Sequence, residues 1–80
     1  MPDTEQQLDV RTMPPPKRHS TIFETFDELE EGEAFVIIND HDPKPLGYQM
    51  AVVHGEEKFS WEYLQEGPDV WKVRIGKKAS

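Results

Sequence analysis

Lys17, Arg18 and His19 stand in a row directly behind three prolines, Pro14, Pro15 and Pro16, and directly before an apolar pattern of helical spacing. The start of a helix already carries partial positive charge, so cation-capable groups there call for an anion or a carboxylate close by. A second cluster follows at Asp40, His41 and Asp42. Imidazoles with carboxylates are ligand chemistry for Zn, Fe or Cu, which makes His19, His41, Asp40 and Asp42 a candidate metal set. No His-x-His or His-x-x-x-His spacing accompanies it, so only the fold can assemble it. The other chemistry is a small-anion site at the helix start with Lys17, Arg18 and Arg11 as donors, although no glycine-rich phosphate loop supports it. Against both stands a structural role. Arg18 pairs with Asp40 or Asp42 and ties two loops together, Asp42 caps a helix, and His19 hydrogen-bonds at a helix end. That tie is the favoured use of Arg18.

These groups need elements to hold them, and the pattern supplies a strand, a helix, a strand, a second helix and a hairpin. QLDVRT alternates as a short strand. Ile22, Phe26 and Leu29 then recur at helical spacing, with Phe23 beside them and Gly32 as a stop signal. Each proline pushes the residue before it out of helical geometry, so Pro16 is the earliest comfortable helical residue. Thr21 and Glu24 have capping-box spacing and allow a later start. AFVIIND is an unbroken β-branched and aromatic run, suited to a central strand buried on both faces. Asp42 and Pro43 have the chemistry of an N-cap and first helical position, and Leu46, Met50 and Val53 share one helical face before Gly55. KFSWEYL, QEGPD and VWKVRIG read as strand, turn and strand. There Phe59, Trp61, Tyr63 and Trp71 alternate at strand spacing, which favours core over a stacking platform, and Glu62 can pair across the hairpin with Lys72 or Arg74.

The order β-α-β-α-β-β predicts an α/β two-layer sandwich, a four-stranded mixed sheet with two helices on one face. A right-handed β-α-β crossover makes the first two strands parallel, so the PPPKRH and DHDP segments leave the sheet at the same end. His19 and His41 can then become neighbours. Residues 8–77 form one domain, flanked by a polar, disordered segment over 1–7 and a frayed tail over 78–80.

Eighty residues allow one small core. Without cysteine there is no disulfide, thiolate metal site or cysteine nucleophile. The net charge of −7 argues against nucleic acid and anionic membranes, which require a basic surface. The longest apolar run, AFVII, is far short of the roughly 20 residues that span a bilayer. The polar N-terminus MPDTEQQ lacks the basic and apolar regions of a secretion signal, and the expected location is cytoplasmic.

LDVRTMPPPKRH, the acidic helix ending in EGE, the strand running into NDHDPKPLGYQ, and FSWEYLQEGPDVWKVRIGK together resemble a known family. Across residues 8–77 the chain is similar to domain-of-unknown-function family 2249, an uncharacterised bacterial and archaeal family. That family in turn resembles the TusA/SirA-like sulfur carriers, whose pattern opens with Leu-Asp and places a Cys-Pro-x-Pro motif at the start of the first helix. Aligned without gaps from Leu8 and Asp9, with Gly32 and Glu33 kept in register, the carriers' reactive cysteine falls on Pro15. Their following proline falls on Pro16, and the motif's last proline on Arg18. Proline has no thiol, so the resemblance implies a shared fold and edge without persulfide carriage by that mechanism. It further implies stand-alone proteins or modules joined to hemerythrin-like domains, often beside nitrogen-oxide or redox genes.

The expected function is a non-enzymatic binding or adaptor domain. It presents Pro15, Pro16, Lys17, Arg18, His19, His41 and Asp42 to a metal, a small anion or a protein partner, the partner being redox-active or hemerythrin-like by resemblance. Ser20 and Thr21 beside His19 are too weak a pattern for nucleophilic hydrolysis. The alternative is a cysteine-less docking partner in a sulfur-transfer relay.

Overall fold

β2 (Ala34–Asn39) runs through the middle of a four-stranded sheet. In this computed structural model, which describes residues 6–78, β1 (Gln6–Asp9) lies parallel to it on one side. β4 (Trp71–Lys77) lies antiparallel on the other, and β3 (Phe59–Glu66) closes that side as the outer strand. The order is β1-β2-β4-β3. Two helices, α1 (Pro15–Glu28) and α2 (Lys44–His54), connect the strands, and a short 3₁₀ turn over Glu56–Lys58 leads into β3.

Strand alternation decides where the core sits. Phe35 and Ile37 point to one face of β2, directly across from Ile75 and Val73 of β4, and all four are fully buried. Ile22 and Phe26 from α1, Leu46 and Met50 from α2, and Phe59 from β3 complete the same cluster. Both helices therefore cover one face, giving the two-layer sandwich that the element order predicts. Full burial of each such side chain contributes about 1.5–3 kcal/mol. Val36, on the uncovered face, is still only 5% exposed, so β2 is buried on both sides as its unbroken apolar run requires.

Several boundaries differ from the sequence pattern. α1 starts at Pro15, with Pro14 in extended geometry at the N-cap, because φ fixed near −65° suits both Pro15 and Pro16 in a first turn. Thr21 sits inside α1 and caps nothing. The helix ends at Glu28, and Gly32, at φ 88°, serves the following turn, donating its N–H to the Lys77 carbonyl at 2.8 Å. Pro43 occupies the N-cap position of α2, yet Asp42 still performs a capping role, its Oδ1 accepting the Lys44 N–H at 3.1 Å. Val53 is 60% exposed. The inward face of α2 is centred between Met50 and His54, and at 100° per residue Val53 falls about a quarter turn away.

The N-terminal segment read as disordered over 1–7 is strand at Gln6 and Gln7, which pair with Phe35 and Val36. Backbone pairing needs no apolar side chain. Lys78, assigned to the frayed tail, donates its N–H to the Lys58 carbonyl at 3.0 Å. Residues 1–5 and 79–80 lie outside the described residues. In the hairpin, Glu62 faces Arg74 at 3.9 Å, and a bulge at Leu64 breaks the register after Tyr63. Gly67 turns at φ 65°, where a Cβ would come within 3.0 Å of the Trp71 ring.

Candidate functional site

Parallel pairing of β1 and β2 sends the β1–α1 connection and the β2–α2 loop out at the same end of the sheet, and Arg18 joins them. Its side chain is 12% exposed. Nε donates to the Met13 carbonyl at 3.0 Å, Nη1 to Asn39 Oδ1 at 2.9 Å and Asp40 Oδ1 at 3.1 Å, and Nη2 to the Arg11 carbonyl at 3.1 Å. A longer contact of 3.4 Å runs from Nη2 to Asp40 Oδ2. A guanidinium has five N–H donors, and this set engages all of them. Arg18 is thus a clamp across two loops, as the favoured reading had it, with Asp40 rather than Asp42 as its carboxylate.

Asn39 is the partner that the sequence reading missed. It is 5% exposed, and its Oδ1 accepts both from Arg18 and from the Asp40 N–H at 3.0 Å. The available signal was its position, since an amide ending a buried apolar strand must find hydrogen bonds. Asp40 itself is well below the usual carboxylate range, at about 2, first because Arg18 hydrogen-bonds it and then because His41 does.

The two histidines take separate partners. His41 Nδ1 lies 2.7 Å from Asp40 Oδ1, and His19 Nδ1 lies 2.9 Å from Gln49 Oε1 on α2. Asp42 turns away from both, accepting the Tyr63 hydroxyl at 2.8 Å as well as the Lys44 N–H. Burial raises the Tyr63 phenol. Among the described residues no group of three or more His, Cys, Asp or Glu side chains is placed to hold a metal ion. The expected Zn, Fe or Cu set of His19, His41, Asp40 and Asp42 is therefore not assembled. One carboxylate serves Arg18, the other serves β3 and α2, and each imidazole is hydrogen-bonded through Nδ1.

The small-anion reading meets a similar obstacle. Pro15 and Pro16 occupy the first two helical positions and have no N–H, while the Lys17 N–H donates to the Pro14 carbonyl at 2.9 Å. An ordinary helix start offers open N–H groups to an anion; these three positions offer none. Arg11 is held by Asp9 at 2.9 and 2.7 Å, and Arg11 in turn keeps the Asp9 carboxyl at about 2.

What remains is a surface held by the Arg18 clamp. Arg18, His19, Asn39, His41, Pro43 and Leu46 line a cleft of about 80 Å³ between α1 and the β2–α2 loop, with Pro15 at its rim. Lys17, His19 and His41 are exposed around it. Ser20, the hydroxyl next to His19 in sequence, donates to the Lys17 carbonyl at 3.1 Å. On the sheet, Phe59, Trp61, Tyr63 and Trp71 form an edge-to-face ladder with centroids 6.2–6.5 Å apart. Only Phe59 of these is buried; Trp61 and Tyr63 are half-buried against the core, and Trp71 is half-buried.

A two-layer α/β domain with a clamped loop edge is the class that fold and site define. Within it, residues 7–77 match the family described as "Uncharacterized conserved protein (DUF2249)", and the chain belongs to that family. No curated protein and no solved structure matches it. Among the described residues no helix is long and apolar enough to cross a membrane.

Proposed function

We propose that this chain is a small non-enzymatic binding domain that docks a partner protein through the edge formed by Pro15, Pro16, Lys17, His19, His41 and Asp42. The observation that carries this reading is the Arg18 clamp. It fixes both loops before any partner arrives, and a preformed surface avoids the ordering cost of binding. The cleft of about 80 Å³ lies well below the roughly 300–1,000 Å³ of sites that enclose small molecules, and its size suits one polar side chain of a partner. Nδ1 faces an oxygen in both rings, which leaves Nε2 of each turned to a partner, and Lys17 adds a cation. The cytoplasmic location is part of this proposal, and the accessory role in redox, metal or nitrogen-oxide metabolism joins it through family resemblance alone.

Immobilised protein carrying Lys17→Glu with His41→Ala tests the edge against wild type, both checked for an unchanged fold by amide NMR spectra. Proteins retained by wild type and lost by the variant support docking here; identical retained sets place the docking surface elsewhere. Titrating untagged wild type with Zn, Fe(II) and Cu(II) addresses the rival chemistry. We expect no stoichiometric shift shared by His19 and His41, and a shared shift that disappears in His41→Ala would make this a metal domain.

The second reading, docking within a sulfur-transfer relay, rests on Pro15 standing where the resembling carriers have their thiol. Mass spectrometry after incubation with a persulfide donor bears on it, and a stable covalent adduct on this cysteine-free chain would contradict both readings.

A further inference from the structure

β3 has β4 as its strand neighbour and none beyond it among the described residues. The Lys78 N–H donates to the Lys58 carbonyl, which marks that pair as hydrogen-bonded in the antiparallel ladder. Alternation from there makes Ser60 with Gly76, and Glu62 with Arg74, hydrogen-bonded pairs in turn. The N–H and C=O groups of Phe59, Trp61 and Tyr63 consequently point away from β4, toward the open side of the sheet. Residues 59–63 contain neither the lysine nor the proline that commonly blunts such an edge, and the bulge after Tyr63 bounds the regular stretch.

A groove of about 290 Å³ runs beside this edge, between α2 and β3. α2 is antiparallel to the strand. Asp42, just ahead of α2, bonds Tyr63, Gly47 lies against the Trp61 indole, and Glu56, after α2, opens the 3₁₀ turn that leads into Phe59. Lys44 and Glu56 therefore line opposite ends of the groove. Tyr48 and Val52, exposed by 66% and 85%, extend the apolar surface along α2.

We propose that this edge pairs with the same edge of a second copy of the chain, antiparallel about a two-fold axis at Trp61, joining two sheets into one. Three features of the strand and the groove fit that occupant. Residues 59–63 read aromatic, polar, aromatic, polar, aromatic, so the stretch is nearly its own reverse. Phe59 then meets the second copy's Tyr63, Trp61 meets its counterpart, and Ser60 meets Glu62, with no like charges directly opposed. Finally, because Lys44 lies at the Tyr63 end and Glu56 at the Phe59 end, the axis brings each copy's Lys44 to the other's Glu56, twice over. Such self-complementarity is what a two-fold interface requires. The net charge of −7 would instead attract a basic extended segment of another protein, and the test separates the two occupants.

Sedimentation of the full chain over a concentration series, paired with amide hydrogen exchange at the same concentrations, reads the proposal directly. We expect a reversible monomer–dimer equilibrium in which the Phe59, Trp61 and Tyr63 amides become protected as dimer forms. Lys44→Glu or Glu56→Lys alone should weaken association about tenfold, and an equimolar mixture of the two variants should recover it, since each then offers the other the opposite charge. Monomer at every concentration overturns the proposal. So does a dimer whose three amides exchange as in the monomer, or one indifferent to both charge reversals. Protection that arises only on adding a peptide of alternating lysine and valine would assign the edge to a foreign strand.

Discussion

At the corner where α1 meets the β2–α2 loop, every guanidinium N–H of Arg18 finds an acceptor within the chain. Along β3, by contrast, three aromatic residues turn N–H and C=O groups away from β4, the one strand beside them among the described residues. The corner looks reactive in sequence, yet its charges are mostly occupied with each other. The hairpin reads as core, yet it keeps an unsatisfied backbone edge and half-exposed rings. Chemical type alone misjudges both regions, because what a group can still bind depends on which of its hydrogen bonds the fold has already made.

The sharpest way to break the contrast is Arg18→Met. Removing the clamp leaves the Met13 and Arg11 carbonyls, Asn39 and Asp40 without their shared donor, and we expect a loss of roughly 2–4 kcal/mol in urea unfolding. Arg18→Lys should recover little of it, since an ammonium lacks the planar fork that reaches four residues. Full stability in Arg18→Met would mean that the corner is no more tied than the β3 edge.

A smaller effect is expected at the point where the two regions touch. Tyr63→Phe deletes the hydroxyl that donates to Asp42 and should cost about 1 kcal/mol, with the Lys44 amide resonance moving because both bonds converge on Asp42 Oδ1. Smaller again is the acid response of the exposed Asp40 carboxylate. Its folded value of about 2 lies below the ordinary 3.8, so its contribution is present above pH 4 and is lost as pH falls from there toward 2. Unfolding followed across that window should show a weaker acid dependence in Asp40→Asn than in wild type, and parallel curves would discount the ion pair. The least effect belongs to Lys17→Ala, an exposed position where stability should change by no more than about 0.5 kcal/mol. A thermal melt distinguishes that from a hidden structural role.

Much of the fold was legible because periodicity carries it. The β-branched run of β2 announced a strand buried on both faces, and the alternation from Phe59 to Tyr63 announced a hairpin face. Boundaries were less legible. Thr21 and Glu24 have the spacing of a capping box, but two helix-compatible prolines started α1 earlier, with Pro14 rather than Thr21 at the N-cap. Val53 fitted a helical face by spacing, and the packing of α2 rotated that face toward His54. At the site, the pairing of Arg18 with a DHDP carboxylate was readable as charge complementarity. The role of Asn39 was not, since an amide at a strand end carries no charge to betray its partner.

The sequence by itself determined the order of elements, the apolar faces, the absence of any thiol chemistry and the charges available at the loop edge. Those follow from residue type and local spacing, which act over a few positions. Only the tertiary structure decided that His19 turns to Gln49 and His41 to Asp40 instead of to a shared metal, and that Asp42 serves Tyr63 from across the fold. It alone left the backbone of Phe59, Trp61 and Tyr63 facing outward. Each of these is a choice among competing hydrogen-bond partners far apart in the chain, settled by which atoms the closed fold brings within reach.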